Sequence, residues 1–246
     1  MFENIIKNVH NRHPLIHCIT NYVSINDCAN IVLACGGAPI MAEDINEVSQ
    51  ITSICQGLDI NIGMLNDNKL SSMLKAGATA NELGIPVILD PVGAGSSDYR
   101  IKAVQDLMSN VQFGVIRGNV SEIKAIAAKQ GIHNIAAGVY ETMQKNKSAM
   151  GVEAGIADKI TDDNIKEMAD FINKLSQKTG AVIAVTGGID MVADENRVYA
   201  IRNGHKMMSL VTGAGCQLSA LTSAYVAADK ELSLIHISEP TRPRLI

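Results

Sequence analysis

Pro86-Val87-Ile88-Leu89-Asp90 is a continuous apolar run that ends in an acid, and Pro91-Val92-Gly93-Ala94-Gly95 follows it directly. An apolar run without alternation predicts a strand that is buried on both faces, as in a parallel sheet. The glycines and prolines behind it predict a loop at the carboxyl end of that strand. In parallel sheets ligands bind beyond these ends, so Asp90 is the first candidate site residue.

The same unit, a short apolar run followed by a longer amphipathic segment, recurs along most of the chain. Strands are predicted at residues 15–20, 38–41, 58–62, 86–90, 113–116 and 181–186, with a hairpin of 192–194 and 198–201. Helices are predicted at residues 26–34, 45–55, 68–83, 99–109, 121–129, 163–177 and 218–228. Repeated strand–helix units with apolar strands predict an α/β fold, in which helices cover both faces of a mostly parallel sheet.

Composition narrows the class of protein. The 246 residues are 47% hydrophobic and 19% charged, which allows a sizeable core. The formal net charge is −4 and no basic run occurs, which argues against a nucleic-acid partner. No apolar stretch reaches spanning length and residues 1–10 lack the apolar region of a signal peptide, so a cytoplasmic protein without a membrane partner is expected. The five cysteines show no Cys-x-x-Cys spacing, which indicates neither a disulfide framework nor a zinc site.

A second candidate site is Val211-Thr212-Gly213-Ala214-Gly215-Cys216, just before the helix predicted at 218–228. Two glycines let a backbone loop approach an anion closely, and the helix start supplies unpaired N–H groups and a positive dipole end. Cys216 is expected on the first helical turn, where the pKa of a thiol is lowered. A tight turn with a buried thiol is the alternative interpretation. The loop is not a Walker A motif, because no Gly-Lys-Ser/Thr follows.

Further polar residues are predicted to follow strands. Asn119 and Glu122 have the spacing of a capping box, yet they also place a carboxylate at a helix start. Arg117 precedes them, with a guanidinium suited to phosphate oxygens. Thr186 either forms a turn or donates to a phosphate, and Asn21 either caps a helix or binds a substrate. Because the carboxyl ends of parallel strands share one edge, these residues are expected to converge on a single rim.

Two segments are set apart from this pattern. Residues 1–232 are expected to form one domain, and residues 233–246 are interpreted as a non-native tail that replaces a longer native chain. Within that tail, Ser238-Glu239-Pro240-Thr241-Arg242-Pro243-Arg244 breaks the helical pattern with two prolines and three charges, as a translated adapter sequence does. Residues 133–158 show some helical periodicity and are interpreted as an insertion.

Six ordered motifs resemble those of the hydroxyethylthiazole kinase family, which serves thiamine biosynthesis and salvage and has the ribokinase-like fold. The cysteine in the glycine loop is specific to this family, since most ribokinase-like kinases carry aspartate there. The motifs are Pro14-Leu15-Ile16-His17-Cys18-Ile19-Thr20-Asn21, Ala38-Pro39-Ile40-Met41-Ala42, Leu89-Asp90-Pro91-Val92-Gly93-Ala94-Gly95, Ile116-Arg117-Gly118-Asn119 with Ser121-Glu122, Ala184-Val185-Thr186-Gly187 and Val211-Thr212-Gly213-Ala214-Gly215-Cys216.

The resemblance implies a three-layer αβα kinase domain and ATP-dependent phosphorylation of the primary hydroxyl of 4-methyl-5-(2-hydroxyethyl)thiazole. Met41 and Gly213 would contact the thiazole alcohol, with Asn21 in the same pocket. Arg117 and Thr186 would bind ATP. The resemblance also implies a homotrimer in which neighbouring subunits share the active sites.

The remaining implied roles concern the chemistry of transfer. Asp90 and Glu122 would serve Mg²⁺, and Cys216 stands where the catalytic base is expected. The backbone amides of the glycine loop would stabilise charge on the transferring phosphoryl group. These amides belong to the loop residues Gly213, Ala214 and Gly215.

Three other functions remain open at this point. A hydroxymethylpyrimidine kinase would fit the same fold but normally keeps an acidic residue at position 216. A non-catalytic protein that binds nucleotide or thiazole would keep the pocket without turnover. An NAD-binding oxidoreductase is disfavoured, because the third glycine of the dinucleotide motif is absent and no strand with an acid follows the loop.

Overall fold

The computed structural model describes residues 2–131, 159–229 and 244–245. In these ranges one sheet has the strand order β2-β1-β3-β4-β5-β6-β7-β8-β9. Neighbouring strands from β2 to β6 are parallel, and β7, β8 and β9 are antiparallel to their neighbours. The strands are β1 (Leu15–Ile19), β2 (Ala38–Ile40), β3 (Gly57–Asn61), β4 (Val87–Asp90), β5 (Val115–Asn119), β6 (Val182–Thr186), β7 (Asp190–Ala193), β8 (Val198–Ile201) and β9 (Arg244–Leu245).

The helices of the described residues connect these strands and cover the sheet. They are α1 (Phe2–Arg12), α2 (Ile25–Ala34), α3 (Val48–Ile54), α4 (Asp67–Glu82), α5 (Asp98–Asn110), α6 (Val120–Lys129), α7 (Ile165–Thr179) and α8 (Ala214–Ala228), with a 3₁₀ helix at Lys206–Leu210. No helix in the described ranges combines the length and the apolar character that a membrane crossing requires.

Both faces of the sheet are covered, so the predicted three-layer α/β fold is confirmed. One face holds the larger apolar core, in which α4, α6 and α7 pack against strands β3 to β7. On the other face α8 packs against β1, β3 and β4, and α2 packs against α8 and β2. The buried side of α8 consists of small residues such as Ser219, Ala220 and Ala224, so the helix lies close to the sheet. α8 meets the sheet at Gly57 of β3, since a Cβ at this position would lie 3.2 Å from the carbonyl oxygen of Ser223.

Several predicted boundaries were wrong in ways that affect the site. β5 extends to Asn119, so Arg117 lies within the strand and not after it. α8 begins at Ala214 instead of residue 218, and a 3₁₀ helix that was not predicted precedes the glycine loop. α1 was not predicted. It packs on α8, with Ile5 and Val9 buried.

The two segments set apart by sequence have different outcomes. Arg244 and Leu245, from the interpreted tail, pair with Ala200 and Tyr199 at the edge of β8. The domain limit at residue 232 stays a prediction. The interpreted insertion at 133–158 lies outside the described residues.

Candidate active site

The sequence-predicted site residues meet at the carboxyl edge of the parallel strands. Asp90 and Thr186 are the last residues of β4 and β6, and Asn21 and Met41 follow β1 and β2. Glu122 lies on the first turn of α6, and the glycine loop begins α8. Direct contacts link most of them into one polar network.

Asp90 is the buried centre of this network. Its Oδ2 accepts hydrogen bonds from Asn61 Nδ2 at 2.7 Å and from Ser219 Oγ at 3.0 Å. Its Oδ1 has no hydrogen-bond partner in the described part of the chain. Burial raises the pKa of Asp90, and the nearby Arg117, Ser219 and Asn61 oppose that rise. A carboxylate with one oxygen fixed and the other without a donor is arranged to bind a cation.

Arg117 connects Asp90 with Thr186 and with the start of α8. Its Nη2 donates to Thr186 Oγ1 at 2.7 Å, and its Nη1 lies 3.9 Å from Asp90 Oδ2. A Cβ at Gly215 would lie only 2.7 Å from Nη1. Glycine at 215 therefore lets the first turn of α8 lie directly against the guanidinium. A cation and helical N–H groups side by side form a site suited to phosphate oxygens.

Gly213 caps α8 in a conformation that favours glycine. Its φ is +73°, and a Cβ there would lie 2.6 Å from the Cβ of Ser24. The chain can therefore turn sharply into the helix while passing close to the start of α2. The N–H group of Ala214 donates to the carbonyl oxygen of Val211 at 3.3 Å. The N–H groups of Gly215 and Cys216 lie on the first helical turn, have no acceptor within the helix and are available to an anion.

Cys216 is buried beside Asn21, and the expected lowering of its pKa is wrong. Asn21 Nδ2 donates to Cys216 Sγ at 3.2 Å. Burial is the largest effect and raises the pKa of the thiol, and the charge of Asp90 raises it further. The helix dipole argument fails because the sulfur packs into an apolar cluster that includes Cys18, Cys28 and Ala220.

Of the two residues assigned to the substrate pocket, Asn21 contacts this thiol directly and Met41 packs against the apolar cluster to which the thiol belongs. Asn21 Nδ2 also donates to Asn61 Oδ1 at 3.1 Å, and its Oδ1 accepts from the backbone N–H and the hydroxyl of Ser24. Met41 is half-buried and packs against the apolar cluster that contains Cys216. An alcohol held between these side chains would place its hydroxyl near the sulfur.

Glu122 forms the capping box that was the alternative interpretation of its motif. Its Oε2 accepts from the backbone N–H of Asn119 at 2.8 Å, and Asn119 Oδ1 accepts from the N–H of Glu122. Its Oε1 accepts from the N–H of Gly93 at 2.9 Å. Burial raises the pKa of Glu122. Each oxygen has one described donor and keeps a lone pair, so capping and cation binding are compatible.

Sequence reasoning missed Asn61, Ser219 and Asp59. Asn61 is the last residue of β3 and pairs with Asp90. A polar residue at the end of an apolar strand is the same signal that identified Asp90, so it could also have identified Asn61. Ser219 lies one helical turn after Cys216. Asp59 is buried with no hydrogen-bond partner for either oxygen among the described residues, and burial followed by the charge of Asp90 raises its pKa far above the usual range.

Gly213→Ala should destabilise the protein more than Gly180→Ala, a matched control with a φ of +70° and nothing within 4 Å of a new Cβ. Gly180→Ala should cost about 1 kcal/mol for the left-handed backbone alone. Gly213→Ala should cost about 2–4 kcal/mol, because contact with Ser24 adds to the same strain. Urea unfolding measures both, and Ser24→Gly in the Gly213→Ala background should recover part of the loss. Equal losses in the two alanine variants would contradict the close contact.

Comparison with known proteins identifies the family of this chain. The model of the hydroxyethylthiazole kinase family matches residues 6–239. The hydroxyethylthiazole kinase of Clostridium acetobutylicum is 51% identical over 234 residues, which are 95% of this chain and 80% of that protein. The structure of the hydroxyethylthiazole kinase protein from Pyrococcus horikoshii OT3 has a TM-score of 0.77 at 32% identity and covers 95% of this chain and 78% of its own.

A more distant structure supports the fold alone. A ribokinase-like superfamily protein from Enterococcus faecalis V583 has a TM-score of 0.55 at 11% identity over 91% of this chain and 73% of its own. The extent of the family match and the 51% identity to a curated relative show that this chain belongs to the hydroxyethylthiazole kinase family.

Proposed function

We propose that this chain transfers the γ-phosphoryl group of ATP to the primary hydroxyl of 4-methyl-5-(2-hydroxyethyl)thiazole, for thiamine biosynthesis or salvage. The observation that carries the proposal is the convergence of Asp90, Arg117 and Cys216 at the start of α8, in a chain of this family. The five cysteines are free thiols, as is usual in the reducing cytoplasm, where we place the enzyme.

The arrangement suits phosphoryl transfer, which depends on positioning and charge stabilisation more than on covalent chemistry. Asn21 and Met41 orient the alcohol beside Cys216, which accepts the hydroxyl proton in its thiolate form. Arg117, fixed by Thr186, binds the phosphate oxygens of ATP together with the first-turn N–H groups of α8. These donors stabilise negative charge on the transferring group in the same place.

The residues present also fit Mg²⁺, which is why we assign Asp90 and Glu122 to it. Asp90 offers a buried oxygen without a described donor, and Glu122 keeps lone pairs on both oxygens. No group of three or more candidate ligands occurs in the described ranges, and Mg²⁺ typically uses one or two carboxylates with water and substrate phosphates. Bound there, the ion would neutralise charge on the phosphates.

A coupled ADP-release assay tests the function. Purified chain with ATP and Mg²⁺ should release ADP when the thiazole alcohol is added and far less when hydroxymethylpyrimidine is added. A preference for the pyrimidine alcohol would assign the chain to the neighbouring kinase activity. Equilibrium binding of both substrates without ADP release would indicate a non-catalytic binding protein.

We infer that the chain forms a homotrimer whose subunits share active sites. Exposed apolar side chains adjoin the site on two segments, and such a patch marks an interaction surface. Val23 lies between Asn21 and Ser24, and Leu210 and Val211 precede the glycine loop. Sedimentation velocity should give about three times the chain mass of 26.2 kDa. A fully active monomer would refute the shared site.

A further inference from the structure

Lys69, near the start of α4, is a buried cation that the proposed mechanism does not use. It is only 3% exposed, although it lies in the first turn of a helix that Asn66 caps. A buried ammonium group loses its hydration, and a positive charge at a helix N-terminus opposes the helix dipole. Both effects are unfavourable, so local contacts must offset them.

The contacts of Lys69 come from two loops at the carboxyl edge of the sheet. Its Nζ lies 2.8 Å from Glu43 Oε2 and donates to the carbonyl oxygen of Thr20. It also lies 4.5 Å from the centroid of the Tyr22 ring, a cation–π contact. The Tyr22 hydroxyl donates to Glu43 Oε1, which closes a cluster of three side chains. We call Lys69, Glu43 and Tyr22 the lysine cluster.

The partners of Lys69 lie close in sequence to Asn21 and Met41, the two residues of the proposed substrate pocket. Thr20 and Tyr22 are the residues on either side of Asn21, in the loop after β1. Glu43 is two residues beyond Met41, in the segment after β2. Lys69 therefore joins both loops to the start of α4, which follows the neighbouring strand β3.

We propose that Lys69 is a positioning residue that fixes Asn21 and Met41 relative to each other and so shapes the pocket for the thiazole alcohol. The inference rests on the proposed function, because it takes these two side chains as the pocket wall. Lys69 acts on the alcohol only indirectly, through the positions of Asn21 and Met41. Displacement of the loop that carries Asn21 would also disturb the hydrogen bonds that Asn21 Nδ2 donates to Cys216 Sγ and to Asn61 Oδ1. A displacement near 1 Å at a reacting group costs up to about 100-fold in rate.

Lys75 provides a matched control on the same helix. It is exposed, and its Nζ donates to the carbonyl oxygen of Ile45, in the segment that follows β2. Lys75→Met removes the same charge and a similar lysine–carbonyl bond without touching the residues beside Asn21. Lys69→Met should still fold, because methionine fills similar volume and Glu43 is 42% exposed on its side chain and stays hydrated.

The test measures the affinities for the thiazole alcohol and for ATP separately, by calorimetry on the full chain. Lys69→Met should weaken thiazole binding about 10-fold or more and change ATP binding less than about twofold, whereas Lys75→Met should change neither. Amide hydrogen exchange should increase in residues 20–24 and 41–43 of Lys69→Met, and should stay unchanged in the same residues of Lys75→Met. Equal losses of both affinities, or unchanged thiazole affinity, would overturn the proposal.

Two further results separate the possible failures. If Lys69→Met shows no cooperative unfolding, Glu43→Gln carries the same test, since it removes the ion pair from an exposed partner. That variant should weaken thiazole binding selectively, and unselective or absent loss overturns the proposal. If the wild-type chain binds no thiazole alcohol, the proposed function itself fails, and the exchange rates still decide whether Lys69 fixes the two loops.

Discussion

Replacing Asp90 by asparagine should lower kcat/KM for thiazole phosphorylation by about 10³-fold while leaving the protein folded. The asparagine oxygen can take the place of Oδ2 and accept from Asn61 and Ser219. Its amide group then stands at the place of Oδ1, where a donor cannot ligate a cation. The variant also removes the negative charge that lies 3.9 Å from Arg117. Steady-state kinetics over a range of Mg²⁺ concentrations measures the effect.

Asp59→Asn is the matched control for this experiment. Asp59 is a buried carboxyl group on the adjacent strand β3, and burial followed by the charge of Asp90 raises its pKa far above the usual range. Neither oxygen of Asp59 has a hydrogen-bond partner in the described part of the chain, so exchange of its carboxyl group for an amide should leave the Mg²⁺ dependence unchanged. Glu122→Gln should fall between the two, with a higher Mg²⁺ requirement. Wild-type turnover by Asp90→Asn at saturating Mg²⁺ would exclude the metal role, and a Glu122→Gln variant with only a lower Tm would leave that residue a helix cap.

Much of the fold could be predicted because the relevant signals are local. Apolar runs of four to six residues mark the buried strands, and a polar residue at the end of such a run marks the edge where ligands bind. The capping box of Asn119 and Glu122 was visible in four residues of sequence. The convergence of the strand-end residues follows from the parallel arrangement alone.

What sequence could not supply depends on which elements pack together. The pKa of Cys216 was predicted from the helix start, but burial against α2 and β1 decides its direction. The importance of Asn61 depends on a register that pairs it with Asp90. Lys69 has the pattern of a polar residue on an amphipathic helix, and only the two loops folded over it make it buried. The sequence analysis did not predict α1, because its apolar side, with Ile5 and Val9, is buried only through packing against α8.

Cys216→Ala should lower kcat by about 10²-fold, at the modest end of the range for a lost general base, and should not abolish turnover. Arg117 and the first-turn amides of α8 remain in place, and a loose transition state needs proton removal only late. Single-turnover measurements isolate the chemical step from product release. Full activity of Cys216→Ala under these conditions would remove the base role.

The pH profile distinguishes a base from a packing residue at position 216. Burial and the charge of Asp90 raise the pKa of the Cys216 thiol, so the thiol is protonated at neutral pH. A base acts in its deprotonated form, so kcat of the wild-type chain should rise with pH on the alkaline side of neutrality. Cys216→Ala should lose that rise. Cys216→Asp should remain active and shift the rise to lower pH, because a carboxyl group ionises before a thiol does. An identical rise in all three chains would mean that another group accepts the proton, and that the amides and Arg117 act without help from the sulfur.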